Sequence, residues 1–366
     1  MFYKFKTKPY DHQLDALKIS WDKEVFAYFM EMGTGKSKVL IDNATMLYDK
    51  GLINGLLLIA PKGVYKTWYE NEIPIHMVDH IEKKVVLWKT SCTEQKYKKE
   101  LNSLFETGTD FHILIMNVES FSRGKGLEFA LKFLSCHKAM TAVDESTTIK
   151  THNSKRTKNI LKLAPYSKYR RILTGSPVTK SPIDLFSQCY FLDPELLDHQ
   201  SFYTFRARYA VMRSIDLGTH TTNIVVGYQN LGELSKKIEP FSKRVLKDDC
   251  LDLPKKTFMK RMVPLTPDQN KVYLQMKQNA IAFLNGKMVS TNTVLVQLMR
   301  LHQITCGHFT ADDGTIQELP SNRVNELIDL TEEIEGKVVI WCHYQRDVQR
   351  IIKALVKEYG EGCLVD

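Results

Sequence analysis

Long apolar runs are missing from this 366-residue chain. No stretch approaches the ~20 residues that span a bilayer, and the opening residues, MFYKFKTKPY, contain no signal-peptide apolar core. Neither membrane insertion nor export is expected. The expectation is a cytoplasmic protein, of the cytosol or nucleoid, with no membrane partner. Cysteine is sparse and scattered: Cys92, Cys136, Cys189, Cys250, Cys306, Cys342 and Cys363 include no C-x-x-C pair of the kind that holds zinc or does redox chemistry. Cys306-Gly307-His308 and Cys342-His343 each offer two ligands, fewer than a tetrahedral site takes. Reduced, mostly packed thiols and no structural metal are expected.

Compositional extremes are absent as well. With 43% hydrophobic and 25% charged residues, the chain is neither disordered nor fibrous, and its length exceeds what one hydrophobic core organises, so two or more lobes are expected. The charge balance tilts only moderately, to +9, from 51 Lys+Arg against 42 Asp+Glu. That favours a polyanionic partner without identifying it.

What the sequence does contain is Met32-Gly33-Thr34-Gly35-Lys36-Ser37. A bound triphosphate needs backbone N–H groups converging on its oxygens and a cation at its outer phosphates. Gly33 and Gly35 supply a loop free to converge, Lys36 the cation for the β and γ phosphates, and Ser37 a hydroxyl for a Mg2+ ion whose other ligands are mostly water and phosphate oxygen. The apolar run Glu24 to Met30 reads as a buried strand, and Ser37 to Tyr48 has apolar residues at helical spacing, giving the order strand, loop, helix. The full pattern G-x-x-x-x-G-K-[ST] would place glycine where Met30 stands. Taken alone, the loop favours a nucleotide site over the alternative of a glycine-rich strand-to-helix turn bearing an exposed lysine.

Further apolar segments alternate with helical patterns: Gly55 to Ala60, Lys84 to Trp88, Phe111 to Met116, Ala139 to Val143 and Arg170 to Leu173. Short apolar strands alternating with helices predict a parallel sheet covered on both faces, with ligands gathered at the carboxyl ends of its strands. Chemistry should therefore follow the strands. After Val143 come Asp144 and Glu145, one carboxylate to hold magnesium and one to orient or deprotonate an attacking water. After Arg170 to Leu173 comes Thr174-Gly175-Ser176-Pro177, a polar turn with two hydroxyls. The basic residues Lys150, Lys155, Arg156, Lys158, Lys168, Arg170 and Arg171 suit either phosphate contact or a solvated surface. Phe202, Tyr203, Phe205 and Tyr209, at helical spacing, suit packing.

Taken as a set, Pro9-Tyr10-Asp11-His12-Gln13, Glu31 to Ser37, Ala60-Pro61-Lys62 with Trp68 and Glu70, Met116-Asn117-Val118-Glu119-Ser120, Asp144-Glu145 with Lys150, and Leu173 to Pro177 resemble the ordered motifs of the Swi/Snf-type ATPases of helicase superfamily two. The likeness continues through Pro240, Arg244, Asp248 and Leu253-Pro254-Lys255, then Pro264 to Gln269, Gln297 to Leu301, and Lys337 to Gln345, the last resembling the first strand of a second motor lobe. The resemblance implies that Gln13 reads the adenine edge and that the nucleotide loop dispenses with the first glycine. It also implies DNA-backbone contacts from Lys62, Asn117, Ser120, Thr174 and Ser176. Two positions depart from the family pattern: Thr147 replaces the box histidine, and Thr151 stands where asparagine is usual.

The fold class expected is α/β: a RecA-like P-loop lobe over residues 1–190, a mostly helical protrusion over 191–262, and linker helices with an incomplete second RecA-like lobe over 263–366. The expected function is an ATP-dependent translocase or helicase-like motor on double-stranded DNA, monomeric, with ATP and Mg2+ as cofactors. Hydrolysis by this chain is expected to be weak, because the family's later motifs, which bring arginines to the γ-phosphate, do not occur before Asp366. Two other readings stay open: a non-hydrolysing module whose DNA affinity ATP switches, and the motor subunit of a restriction or nuclease system.

Overall fold

The computed structural model describes residues 3–89, 94–106, 108, 110–216, 221–285, 291–310 and 314–363. Cys92 and the end of the chain after Cys363 lie outside them. Two compact units divide at Pro254 and Lys255.

In the first unit every expected strand is present. They are β1 (Val25–Met30), β2 (Gly55–Ala60), β3 (Lys83–Leu87), β4 (Phe111–Asn117), β5 (Ala139–Asp144) and β6 (Arg170–Leu173), and helix α1 (Asp11–Ser20) precedes β1 while α2 (Lys36–Asp49) follows it. β2, β4 and β5 are buried along their whole length, as continuous apolar strands in a two-sided parallel sheet must be. Side chains alternate between two cores. Ala27, Phe29, Leu57, Ile59, Leu114, Met116 and Val143 face one. Phe26, Tyr28, Met30, Leu56, Leu58, Ile113 and Ile115 face the other, under α1 and α2. Met30 ends its strand completely buried, so a glycine there would remove a core side chain.

The segment expected to be a mostly helical protrusion is built differently. It holds an antiparallel hairpin, β7 (Ala210–Asp216) with β8 (Thr221–Tyr228), whose TTNIVVGY strand is rich in β-branched residues that favour extended chain. It also returns a strand to the main sheet: β9 (Ser242–Val245) pairs parallel to β1, from Ala27 opposite Ser242 to Met30 opposite Val245. The resulting all-parallel sheet has the order β3-β4-β2-β5-β6-β1-β9. The first compact body thus runs to Pro254 and does not close at 190. Phe205 and Tyr209 are fully buried in the core, as their helical spacing suggested.

Arg171 in β6 is completely buried and has no carboxylate partner among the described residues. All five of its N–H groups are used: Nε donates to Asn43 Oδ1 at 2.9 Å, Nη1 to the carbonyls of Glu24 and Arg170 at 3.0 and 2.9 Å, and Nη2 to those of Ser20 and Lys23 at 3.1 and 2.7 Å. Three of those carbonyls, of Ser20, Lys23 and Glu24, line the turn from α1 into β1. One side chain therefore fixes how the helix carrying Gln13 meets the strand that leads into the glycine loop.

The second unit contains helices Pro267–Asn285, Thr291–Cys306, Arg323–Glu332 and Gln345–Tyr359, with a short antiparallel pair, β10 (His308–Thr310) and β11 (Ile316–Glu318). Lys337 to Gln345, expected to begin with a strand, carries no sheet pairing, and Val339 and Trp341 are 76% and 91% exposed. A strand is defined by a neighbour that takes up its N–H and C=O groups. Among the described residues none lies beside this segment. No described helix is long and apolar enough to cross a membrane.

Candidate nucleotide site

The site forms at the carboxyl edge of β1, β6 and β5, which are consecutive in the sheet. β6 lies between the other two, pairing Leu173 with Tyr28 on one side and with Asp144 on the other. The loop after each of the three strands therefore opens onto one crevice, where parallel sheets place their ligands.

After β1, Gly33 and Gly35 both take left-handed conformations, φ +84° and +85°, which cost side-chain-bearing residues energy that glycine avoids. Gly35 caps α2, aiming the free N–H groups of the first helical turn at the loop. Gln13 is 3% exposed and bridges the loop: its Nε2 donates to Thr34 O at 3.0 Å while its Oε1 accepts from Tyr10 N at 3.0 Å. His12 Nε2 is also 2.8 Å from Thr34 O. A methyl group on Gly35 would overlap the Gln13 amide. Gln13 thus has a loop-positioning role that the motif did not disclose. Gly175, after β6, lets its own turn approach the loop closely: a Cβ there would sit 3.2 Å from both Glu31 Cα and Met32 N.

Thr34 and Lys36 are buried, Gly35 and Ser37 half-buried, and Met32 and Gly33 exposed. The loop is braced from the other side by β9. Glu31 N donates to Val245 O at 3.0 Å, and Glu31 Oε2 accepts from Lys247 N at 2.7 Å.

After β5, Asp144 is 6% exposed. Its Oδ2 accepts from the indole Nε1 of the buried Trp68 at 2.8 Å, and its Oδ1 from Glu145 N at 2.9 Å. Burial pushes the Asp144 carboxyl up to about 6, opposed by the Trp68 hydrogen bond, reinforced by the Glu145 charge and drawn down by Lys36. Glu145 has φ +46° and ψ +59°, a strained backbone for a residue with a side chain. Its Oε2 accepts from Thr174 Oγ1 at 3.2 Å, and Thr174 Oγ1 in turn accepts from Ser176 N at 3.2 Å. Ser146 Oγ donates to Gln188 Oε1 at 2.7 Å, tying the acidic box to the helix that follows the Thr174 turn.

Magnesium is bound by few protein ligands and many waters and phosphate oxygens. One hydroxyl, Ser37, and one carboxylate whose oxygens each have a lone pair left, Asp144, fit that demand. Because Trp68 holds the second oxygen of Asp144, Trp68→Phe is expected to weaken the magnesium dependence of nucleotide binding by about tenfold. Titrating Mg2+ at fixed ATP checks this, and ATP binding without Mg2+ should not move.

The five residues assigned to nucleic acid divide by exposure. Lys62 and Ser176 are exposed. Thr174 is 1% exposed and occupied with Glu145. Asn117 and Ser120 are 9% and 6% exposed and bonded to one another, Asn117 Oδ1 accepting from Ser120 N at 3.2 Å. All three take part in hydrogen bonds within their own turns or to the acidic box. Among the basic residues, Lys150 pairs with Asp184 at 3.5 Å and Lys168 with Glu24 at 3.1 Å, while Arg170 donates to the carbonyls of Leu192, Ala164 and Ser167. Sequence reasoning missed Gln188 and Lys247 as parts of this site; it read Glu31 as the start of the nucleotide loop and placed Trp68 in a motif implied to contact DNA, not beside Asp144. None of these contacts has a local signal, because the partners are distant in the chain.

A family model described as the SNF2-related domain matches residues 28–310. The chain is 27% identical over 293 residues to the SWI/SNF chromatin-remodeling complex subunit snf22 of Schizosaccharomyces pombe, covering 76% of this chain and 16% of that protein. It is 22% identical over 343 residues to the SNF2 domain-containing protein ENL1 of Oryza sativa subsp. japonica, covering 87% and 33%. With the chromatin-remodeling ATPase INO80 of Saccharomyces cerevisiae it shares 24% identity over 255 residues, covering 68% and 16%. The chain therefore spans a third or less of the length of these curated relatives. Among solved structures, the Sulfolobus solfataricus SWI2/SNF2 ATPase core in complex with dsDNA aligns with a TM-score of 0.53 and 22% identity over 97% of this chain and 71% of that one, a likeness of fold. With the family match extending over most of the chain and the same ATPase-core fold beneath it, this protein belongs to the SNF2-related family.

Proposed function

We propose that this chain is the ATP-binding part of a DNA-dependent ATPase motor, which binds ATP with Mg2+ and couples hydrolysis to movement along, or remodelling on, double-stranded DNA. The observation that carries the reading is the convergence of Lys36, Asp144 and Glu145 at one sheet edge, where the Lys36 charge is felt by Asp144 and Glu145 is bonded to the turn after β6. In this reading Lys36 and the amides of Gly33 to Ser37 hold the phosphates, and Ser37 and Asp144 hold the metal. When bound, magnesium neutralises charge that develops on the phosphoryl oxygens. Glu145, oriented by Thr174, positions the attacking water and accepts its proton. Gln13 has one N–H left after bonding Thr34, and that N–H serves adenine selection. DNA meets the surface that carries Lys62 and Ser176, and the protein works where DNA is accessible in the cytosol or nucleoid.

Steady-state ATP hydrolysis measured with and without duplex DNA tests the proposal. Stimulation by DNA, falling as salt rises because phosphate contacts release counterions, is the expected result. Measurable ATP binding with no hydrolysis under either condition would instead make the chain a nucleotide-switched DNA-binding module.

A further inference from the structure

β9 ends at Val245, and two residues later Lys247 opens a short helical turn, Lys247–Cys250. The backbone N–H of Lys247 is bound to Glu31, the first residue of the glycine loop. Its side chain reaches over that loop: Cε lies 3.6 Å and Nζ 3.9 Å from where a Cβ on Gly33 would stand. Gly33 has no side chain to separate the ammonium from the loop. Lys247 is half-buried, and among the described residues no carboxylate pairs with its ammonium. The Glu31 carboxylate accepts from the backbone N–H of Lys247 and makes no ion pair with its ammonium. A half-buried ammonium without a counter-ion loses hydration that an anion would replace.

β9 flanks β1 on one side, and β6 and β5, with Thr174, Asp144 and Glu145 at their ends, lie on the other. Lys247 therefore approaches the loop from the side away from the two carboxylates. We propose that Lys247 is a second phosphate-binding cation of the nucleotide loop, serving the α- and β-phosphates while Lys36 serves the β- and γ-phosphates; this rests on the nucleotide site described above. The sequence gives no hint of it, because Lys247 comes far after the loop and reaches it only through the pairing of β9 with β1.

Calorimetric titration of the whole chain with ATP, ADP and adenosine, in the presence of Mg2+, decides the matter. Lys247→Gln keeps the backbone bond to Glu31 and removes the charge. It is expected to weaken ATP and ADP by the same factor, on the order of tenfold, and to leave adenosine unchanged, while Lys247→Arg recovers most of the loss. Unaltered ADP affinity in the Gln variant overturns the proposal. So does an equal loss for adenosine, which would mark Lys247 as a brace of the loop and not a phosphate ligand. Wild-type chain that binds neither ATP nor ADP would overturn the nucleotide site itself, and Lys247 with it.

Discussion

Glu145→Gln is expected to lower the rate of ATP hydrolysis by roughly 10²- to 10⁴-fold, the range attributable to a positioned general base, while ATP binding stays within about twofold of wild type. Glutamine keeps the length of the side chain and can still accept the bond from Thr174 Oγ1. What it lacks is the capacity to take a proton from water. The backbone supports the same assignment. A non-glycine residue at φ +46° and ψ +59° costs roughly 1–3 kcal/mol, and here that strain aims the carboxylate at the Thr174 turn. Glu145→Gly separates the two effects: relief of the left-handed conformation should leave the protein as stable as wild type or more so, with hydrolysis still lost. Single-turnover hydrolysis and nucleotide titration on the same preparations provide both measurements. A Gln variant that turns over at the wild-type rate would remove this carboxylate from the chemistry.

The second large effect is on stability. Arg171→Met is expected to lower the unfolding free energy of the first unit by about 3–5 kcal/mol, the range for breaking a buried charged network. A fall of roughly 10 °C in its thermal midpoint follows. Methionine fills much of the volume but donates nothing, so the Lys23 carbonyl loses its donor inside the protein, while the Ser20 and Glu24 carbonyls and the Asn43 amide oxygen each lose one of two. The loss of five hydrogen bonds from a charged donor, with one buried acceptor left unpaired, accounts for the size of the effect. Arg171→Lys should recover little, because one ammonium cannot reproduce five donors in a planar fork. The nucleotide site should suffer too, since the turn that loosens joins the helix of Gln13 to the strand of the loop. Thermal unfolding followed by circular dichroism, with and without ATP, tests this; a loss below about 1 kcal/mol would show that water satisfies the turn instead.

The strands β1 to β6 were legible because each is a short, uninterrupted apolar run between helical patterns, and a two-sided parallel sheet requires just such runs. β9 was not legible: SKRV is an edge strand of mixed polarity, stabilised by the one neighbour it finds in β1. The Lys337 segment shows the reverse. Its sequence has strand character, but pairing is a property of two segments, and no described partner lies beside it. At the site, the glycine loop and the acidic pair could be read directly, since each works through residues adjacent in the chain. That Asn117, Ser120 and Thr174 lie largely buried could not be read in advance, because a motif fixes residue type and not which way a side chain turns.

By itself, then, the sequence determined where β1 to β6 lie along the chain, the glycine loop before α2 and the acidic residues at the end of β5. All of these follow from local backbone preference and hydrophobic period. The tertiary structure alone decided that Trp68 holds Asp144, that Thr174 holds Glu145, that Gln13 closes over Gly35 and that Lys247 lies above Gly33. Each of those arrangements depends on which strands become neighbours in the sheet, and that choice is made by burial across the whole unit.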